Sequence, residues 1–374
     1  MSDANPAIKP IPMPKWGLAM TEGKVTAWLV KEGETIAAGQ EILEIETSKI
    51  ANVSESPVAG TLRRIVTQEG ETVPVGALLG VIADAAVGDA ELDAFVASER
   101  ERIAAAAAAE APPPEPQIVT VDGRPIRYLK MGEGDVTPVL LIHGFGGDLY
   151  SWQFNQPALA EGGAVYAVDL PGHGGSGKEV PDADLEGLAG AVRGTMDALE
   201  IPRAHLVGHS LGGAIALALA LHASDRVASA TLVCSAGLGP DINMGYIEGF
   251  IAADKRREMK AMLETLFADP SLVSRDMVEE VLRYKRLDGV LPALRAIAAA
   301  AFPGGHQSTV FNDRLAAMAT PIMAVWGAED RIIPPAHAAA LQEARRHVIS
   351  GAGHMVHIEK PAEVNRLILT FIDG

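Results

Sequence analysis

The sequence predicts two folded modules of different class: a small all-β module built as a flattened barrel, then a larger α/β module with a mostly parallel sheet, helices on both faces and a helical cap. Three observations predict this. Positions 22–46 recur at 59–83 with an offset of 37; an Ala- and Pro-rich acidic stretch occupies 84–117; and from Gln117 onward strand-like apolar runs alternate with helical patterns. A chain of 374 residues has material for more than one core.

The first module is placed at 6–83. Seven of 25 positions match across the repeat, among them Gly33/Gly70, Gly39/Gly76 and Glu32/Glu69. Each copy reads as short strands rich in Val, Ile and Leu divided by Gly-containing turns, and neither half could bury its apolar face alone. The first copy ends in EIETSKIANV, two alternating runs meeting at Thr47, Ser48 and Lys49, which reads as a hairpin tip presenting Lys49. On the hairpin alone a merely solvated turn lysine is the commoner reading.

Segment 84–117 carries a charge of −6 and the run APPPEP, and is expected to be an extended linker, helical in part, that need not pack on anything. As a flexible chain it would span roughly 30 to 35 Å.

The second module is placed at 118–374. Its clearest strands are 138–144, 164–170, 204–210, 229–235 and 321–327, and its helical stretches between about 238 and 315 read as the cap. Gly208-His209-Ser210-Leu211-Gly212 is a GxSxG pattern that leaves a strand and opens an apolar helix, the context of a nucleophile elbow. The bare pattern is expected about 0.15 times by chance at this composition, so strand and helix carry the assignment. A serine hydroxyl needs a base, and a base needs an acid to orient it, in the order Ser, Asp, His. His354 in GAGHMVHIEKP follows the last strand-like run and is the expected base, with His357 its competitor. Asp330 in WGAEDRIIP follows a strand and is the expected acid, ahead of Glu329 and Asp241. The oxyanion would be met by the backbone N–H groups of Leu211 and of Phe145 in HGFGGD. His143 and the loop DLPGHGGS, with Asp169 and His173, read as structural, and no metal is expected.

The remaining composition narrows function by exclusion. A formal charge of −17 provides no basic field for nucleic acid. The single cysteine, Cys234, cannot pair within the chain, the opening residues lack a signal pattern, and the longest apolar runs fall short of the ~20 residues of a bilayer span. A reducing cytoplasm is expected, with neither membrane nor nucleic acid as partner.

The runs MPKWGLAMTEGKV, ETSKI and SPVAG resemble the lipoyl domain of 2-oxo acid and acetoin dehydrogenase complexes. That resemblance implies lipoate attached to Lys49; Ser48 stands where aspartate is usual. A biotin carrier shares the architecture, but Ser48-Lys49-Ile50 lacks its methionine-flanked lysine. HGFGGD, DLPGHGGS, GHSLGG, WGAED and GAGH in this order resemble the α/β-hydrolase family. The pairing resembles the dihydrolipoyllysine acetyltransferase components of bacterial acetoin dehydrogenase complexes. It implies acetyl transfer from an S-acetyl-dihydrolipoyl arm to coenzyme A, with a thiamine-dependent acetoin-cleaving component and dihydrolipoamide dehydrogenase as partners. Neither an HxxxDG signature nor a peripheral-subunit-binding domain is found, so docking of partners and oligomeric state stay open, a homo-oligomer included. Ser210 could form an acyl-enzyme or only hold the oxyanion, and acyl-chain preference is undetermined. Two other readings are a lipoyl-tethered ester or thioester hydrolase and a non-catalytic lipoyl carrier scaffold. The basic run Lys255, Arg256, Arg257 and Lys260 reads as a solvated helix face rather than a landing site for coenzyme A phosphates.

Overall fold

The computed structural model describes residues 8–14, 22–46, 51–84, 86–109 and 114–374, with the side chains of 51–52 and 104–109 outside the description. The chain divides into two compact units, Met1–Pro113 and Pro114–Gly374.

Among the described residues the first unit has eight short strands: β1 Ile8–Pro12, β2 Glu22–Trp28, β3 Thr35–Ile36, β4 Glu41–Glu46, β5 Ala51–Glu55, β6 Gly60–Ile65, β7 Thr72–Pro74 and β8 Leu78–Ala83. They form two four-stranded sheets, β1-β8-β6-β3 and β5-β4-β2-β7, with Val25, Ile36, Ile42, Ile45, Leu62 and Leu79 in the core. The 37-residue offset maps β2, β3 and β4 onto β6, β7 and β8. Each sheet therefore borrows one short strand from the other copy, β3 pairing with β6 and β7 with β2.

The residues identical between the copies make the same bonds twice. Gly33 and Gly70 both sit at positive φ, 91° and 88°, where a β-carbon is strained, and their N–H groups donate to Leu62 O and Val25 O, each at 2.7 Å. Glu32 accepts from the Ile65 N–H at 2.6 Å, as Glu69 accepts from the Trp28 N–H at 2.8 Å. The repeat is kept because each half closes the other.

The stretch expected to be an extended linker with no need to pack does pack in part. Helix α1, Asp89–Ala109, places Leu92 fully buried against Ile8, Leu78, Val81 and Val87, with Phe95, Val96 and Ile103 flanking it. Its acids Asp89 and Asp93 pair with Arg63 and Arg64 of β6. The alanine average hid an apolar stripe spaced three and four apart. At 1.5 Å per residue the helix is a rod of about 31 Å, not a coil of that span.

The second unit holds an eight-stranded sheet in the order β16-β15-β14-β13-β11-β12-β10-β9. Its strands are β9 Gln117–Val121, β10 Arg124–Met131, β11 Val139–Ile142, β12 Val165–Val168, β13 Ala204–His209, β14 Val227–Val233, β15 Ile322–Gly327 and β16 Arg346–Ile349. The first two form an antiparallel edge hairpin, and β10 meets β12 antiparallel; from β12 to β16 all pairing is parallel. The central strands read Val-Leu-Leu-Ile and Ile-Met-Ala-Val-Trp and are buried throughout, as a sheet covered on both faces requires.

Helices α2 Gln156–Leu159, α3 Leu185–Ala198 and α4 Leu211–His222 alternate with these strands. Between β14 and β15 lie the cap helices α5 Met244–Ala252, α6 Arg256–Glu264, α7 Arg275–Lys285 and α8 Val290–Ala301, then the short α9 Asn312–Leu315. The chain ends in α10 Val356–Glu359 and α11 Pro361–Asp373. Among the described residues no helix is long and apolar enough to cross a membrane.

Candidate active site

Strand β13 stops at His209 and α4 begins at Leu211, so the whole reversal falls on Ser210, held at φ 53°, ψ −116°. A non-glycine residue at positive φ is strained and persists only where its surroundings over-determine it. They do: the Ser210 N–H donates to Val233 O at 2.9 Å, and its carbonyl accepts from Gly213 at 3.0 Å and Ala236 at 2.9 Å. The flanking glycines are sterically required. A Cβ on Gly208 would lie 2.2 Å from Gly212 O, and one on Gly212 would lie 2.2 Å from Ile142 O.

Asp330 and His354 come together from the turns after β15 and β16. His354 Nδ1 lies 2.8 Å from Asp330 Oδ2, while Asp330 Oδ1 accepts from the N–H groups of Ile332 at 2.8 Å and Ile333 at 3.0 Å. Both side chains are buried. The loop beneath His354 is fastened by two carboxylates: Glu329 accepts from Gly351 and Ala352, and Glu359 accepts from Gly353 at 2.6 Å. Glu329, the weaker acid alternative, is thus occupied with loop N–H groups. Asp241, the other, faces His337 at 3.4 Å. His357 is packed against Trp152 with ring centroids 4.6 Å apart, and burial pushes it down to about 3. Asp330 bonds to His354, not to it.

Gly144 lies against the elbow: a Cβ there would be 2.9 Å from Ser210 Cβ. Phe145 is the residue after Gly144, and Leu211 is the first residue of α4. Two of the loop residues read as structural hold this turn, His143 Nε2 accepting from Leu170 N–H and His173 Nε2 from Gly146 N–H. Asp169 accepts from Leu149 and Gly175 and pairs with Arg127. The Phe145 ring is packed by the cap through Phe250 and Phe302, at centroid distances of 6.1 and 6.4 Å.

Cys234, which sequence reasoning passed over except as a redox marker, sits beside Asp330 and His354. Its Sγ, an Asp330 oxygen and a His354 nitrogen lie within 4.8 Å of one another. Burial and then Asp330 push its thiol well up, so it stays protonated. In the cap, Lys255, Arg256 and Lys260 pair with Glu258, Glu279 and Glu264, as a solvated helix face does.

The model for the alpha/beta hydrolase fold matches residues 137–361, and the model described as biotin-requiring enzyme matches 9–82. The dihydrolipoyllysine-residue acetyltransferase component of the acetoin cleaving system of Cupriavidus necator is 49% identical over 374 residues, covering all of both chains. Its counterpart from Pseudomonas putida is 46% identical over 366 residues, 98% of each chain. The chain belongs to the family of dihydrolipoyllysine-residue acetyltransferase components of acetoin cleaving systems. This acetyltransferase family joins a lipoyl-type domain to an α/β-hydrolase-fold domain, as the two units here do. Among solved structures, a meta-cleavage product hydrolase from Pseudomonas fluorescens is similar at 27% identity, covering 69% of this chain and 97% of its own, with a TM-score of 0.63. Lys49 falls within the matched lipoyl-type stretch but outside the described residues; the strands on either side, β4 and β5, pair as far as Glu46 opposite Ala51.

Proposed function

We propose that the chain moves an acetyl group from a dihydrolipoyl thioester carried at Lys49 to coenzyme A, with Ser210 as nucleophile, His354 as base, Asp330 as its orienting acid, and the N–H groups of Phe145 and Leu211 as oxyanion donors. The observation that carries the reading is the 2.8 Å His354–Asp330 pair, held by backbone donors in the unit where Ser210 is the strained residue at a strand-to-helix turn. Flanking Lys49, the exposed Glu46 at the end of a paired hairpin fits an attachment point presented outward. The lipoyl group, when attached, supplies a cyclic disulfide that is reduced as it takes up an acyl group, which would leave one sulfur as a thiol and the other as an acyl thioester.

The residues of the α/β unit account for the rest. The Ser210 hydroxyl adds to the thioester carbonyl as its proton passes to His354; the oxyanion is met by two N–H groups, and collapse expels a thiol that takes the proton back. The coenzyme A thiol then adds to the acetyl-serine, giving its proton to His354, and Ser210 leaves reprotonated. Asp330 keeps the hydrogen of His354 on Nδ1, so that Nε2 is free to accept, and it stabilises the imidazolium. A thiamine-dependent acetoin-cleaving component would load the arm and a dihydrolipoamide dehydrogenase would reoxidise it.

The test is acetyl-dihydrolipoamide turnover by the full chain. Consumption should require coenzyme A and vanish in Ser210→Ala, whose Lys49 still gains the lipoyl mass with lipoate ligase. Acetate released at the same rate without coenzyme A would make the chain a hydrolase; an active Ser210→Ala would remove the acyl-enzyme.

A further inference from the structure

His209 is the last residue of β13 and the immediate neighbour of Ser210. Its Nε2 lies 2.9 Å from the backbone carbonyl of His354. A carbonyl oxygen can only accept, so Nε2 carries the hydrogen and donates. The ring is closed in on several sides: the His354 ring stands 4.7 Å away and the His357 ring 4.6 Å away, and a Cβ on Gly144 would lie 2.9 Å from its Nδ1. Burial, with His357 and His354 beside it, pushes its protonation well below the usual histidine range, so the ring is a neutral donor. The other bonds of the base loop reach different atoms. Glu329 and Glu359 hold the N–H groups of residues 351 to 353, and Asp330 holds the imidazole Nδ1. The carbonyl of His354 itself is held from the strand that carries the nucleophile.

We infer that His209 is a positioning residue for the transfer reaction: its Nε2–H sets the height of the His354 main chain relative to Ser210, so that nucleophile and base are referenced to one strand end. The inference rests on the proposed roles of Ser210 and His354. Without that bond the Asp330 contact still restrains the imidazole, but the ring pivots about Nδ1 and Nε2 leaves the line to the serine. A displacement of about 1 Å at a reacting group can cost about 10²-fold in rate.

The experiment compares His209→Gln, His209→Asn and His209→Leu in the full chain. A glutamine amide nitrogen stands the same number of bonds from Cβ as the imidazole Nε2, whereas an asparagine amide nitrogen stands where Nδ1 was and faces Gly144. His209→Gln should keep kcat within about threefold of the native chain, about 0.7 kcal/mol. His209→Asn and His209→Leu should lose roughly 10²-fold in kcat with KM for acetyl-dihydrolipoamide little changed. The downfield proton resonance of the His354–Asp330 hydrogen bond, read without substrate, should persist in His209→Gln and shift or broaden in His209→Asn. Equal kcat in the glutamine and asparagine variants overturns the inference, and that comparison decides even if His209→Leu fails to fold. Failure of the underlying reading shows differently, as an unaltered rate in Ser210→Ala.

Discussion

Replacing Asp330 with asparagine tests the proposed acid and base more sharply than deletion would. Asp330 Oδ1 accepts from two main-chain N–H groups, Ile332 at 2.8 Å and Ile333 at 3.0 Å, and Oδ2 meets His354 Nδ1 at 2.8 Å. Two fixed donors admit only the oxygen of an amide, so the asparagine NH2 must take the Oδ2 position and point at Nδ1. A donor there requires Nδ1 to accept, which moves the imidazole hydrogen to Nε2 and leaves no lone pair for the serine proton. Acylation should fall about 10⁴-fold, or about 5 kcal/mol of transition-state stabilisation, the size this exchange has in serine proteases. Stability should change by less than about 1 kcal/mol, because shape and both backbone bonds survive. Rapid-quench intact mass would follow the acetyl increment on Ser210, with thermal melting alongside. Acylation within tenfold of native in Asp330→Asn, with the melt unchanged, would refute the assignment of His354 as a base oriented by Asp330.

Stability against pH gives a second prediction. Burial holds His173 and His357 at about 3; their unfolded forms titrate near 6.5, so between those values the unfolded chain binds more protons and folding weakens as pH falls. Each should cost about 2 kcal/mol by pH 5, measured as a falling denaturant midpoint of the α/β unit, while His357→Phe should flatten the slope. Leu92→Ala, at a fully buried position of α1, should cost the first unit about 2 to 5 kcal/mol and lower its calorimetric transition alone; no change would mean that α1 does not pack in solution. Incubation with lipoate and a lipoate ligase should add the lipoyl mass to the native chain and not to Lys49→Arg, and addition to both would place the attachment elsewhere.

The elements that sequence reasoning located are those whose constraint is local. GHSLGG, WGAED and GAGH each confine a strand end, a turn and a chemical group within six residues, and two of the repeat's three glycine pairs, Gly33/Gly70 and Gly39/Gly76, stand in turns of matching φ. What it missed is made by distant partners. A helix was expected in this stretch, but the packing of α1 was missed, because alanine content masks a stripe as sparse as Leu92, Phe95 and Val96, and because Arg63 and Arg64, which its acids meet, lie 25 to 29 positions away. The exchange of β3 and β7 between sheets cannot be seen in a repeat, since a repeat names equivalent strands but not their neighbours. Glu329, Cys234 and His209 from other strand ends, and Glu359 from the following helix, hold the loop of residues 351 to 354, and only a contact tells such residues from ordinary polar or small ones. The GxSxG pattern leaves the His209 position unspecified, which is why the residue carried no signal there.

The acyl-transfer machinery proposed here does not by itself separate transfer from hydrolysis. The α/β unit is similar in fold, at 27% identity and a TM-score of 0.63, to a hydrolase, and a serine, histidine and aspartate also deacylate with water where water is present. A thioester exchanged for a thioester is nearly balanced in free energy, so the outcome is decided by which nucleophile reaches the acyl-serine. That places the discrimination outside Ser210, Asp330 and His354, in what covers them. The cap packs on the loop that carries the proposed oxyanion donor Phe145. Phe250 and Phe302 rest on the ring of Phe145, Phe250 is seated so close to Gly146 that a Cβ there would be 2.6 Å from its ring, and the Phe250 carbonyl is gripped by the buried Lys285 at 2.5 Å. The cap and the Phe145 loop thus form one packed body. With the Phe145 N–H in its proposed role, a cap that lifted to admit water would also disturb that donor, so the proposed mechanism ties exclusion of water and alignment of the oxyanion donor to the same aromatic contact.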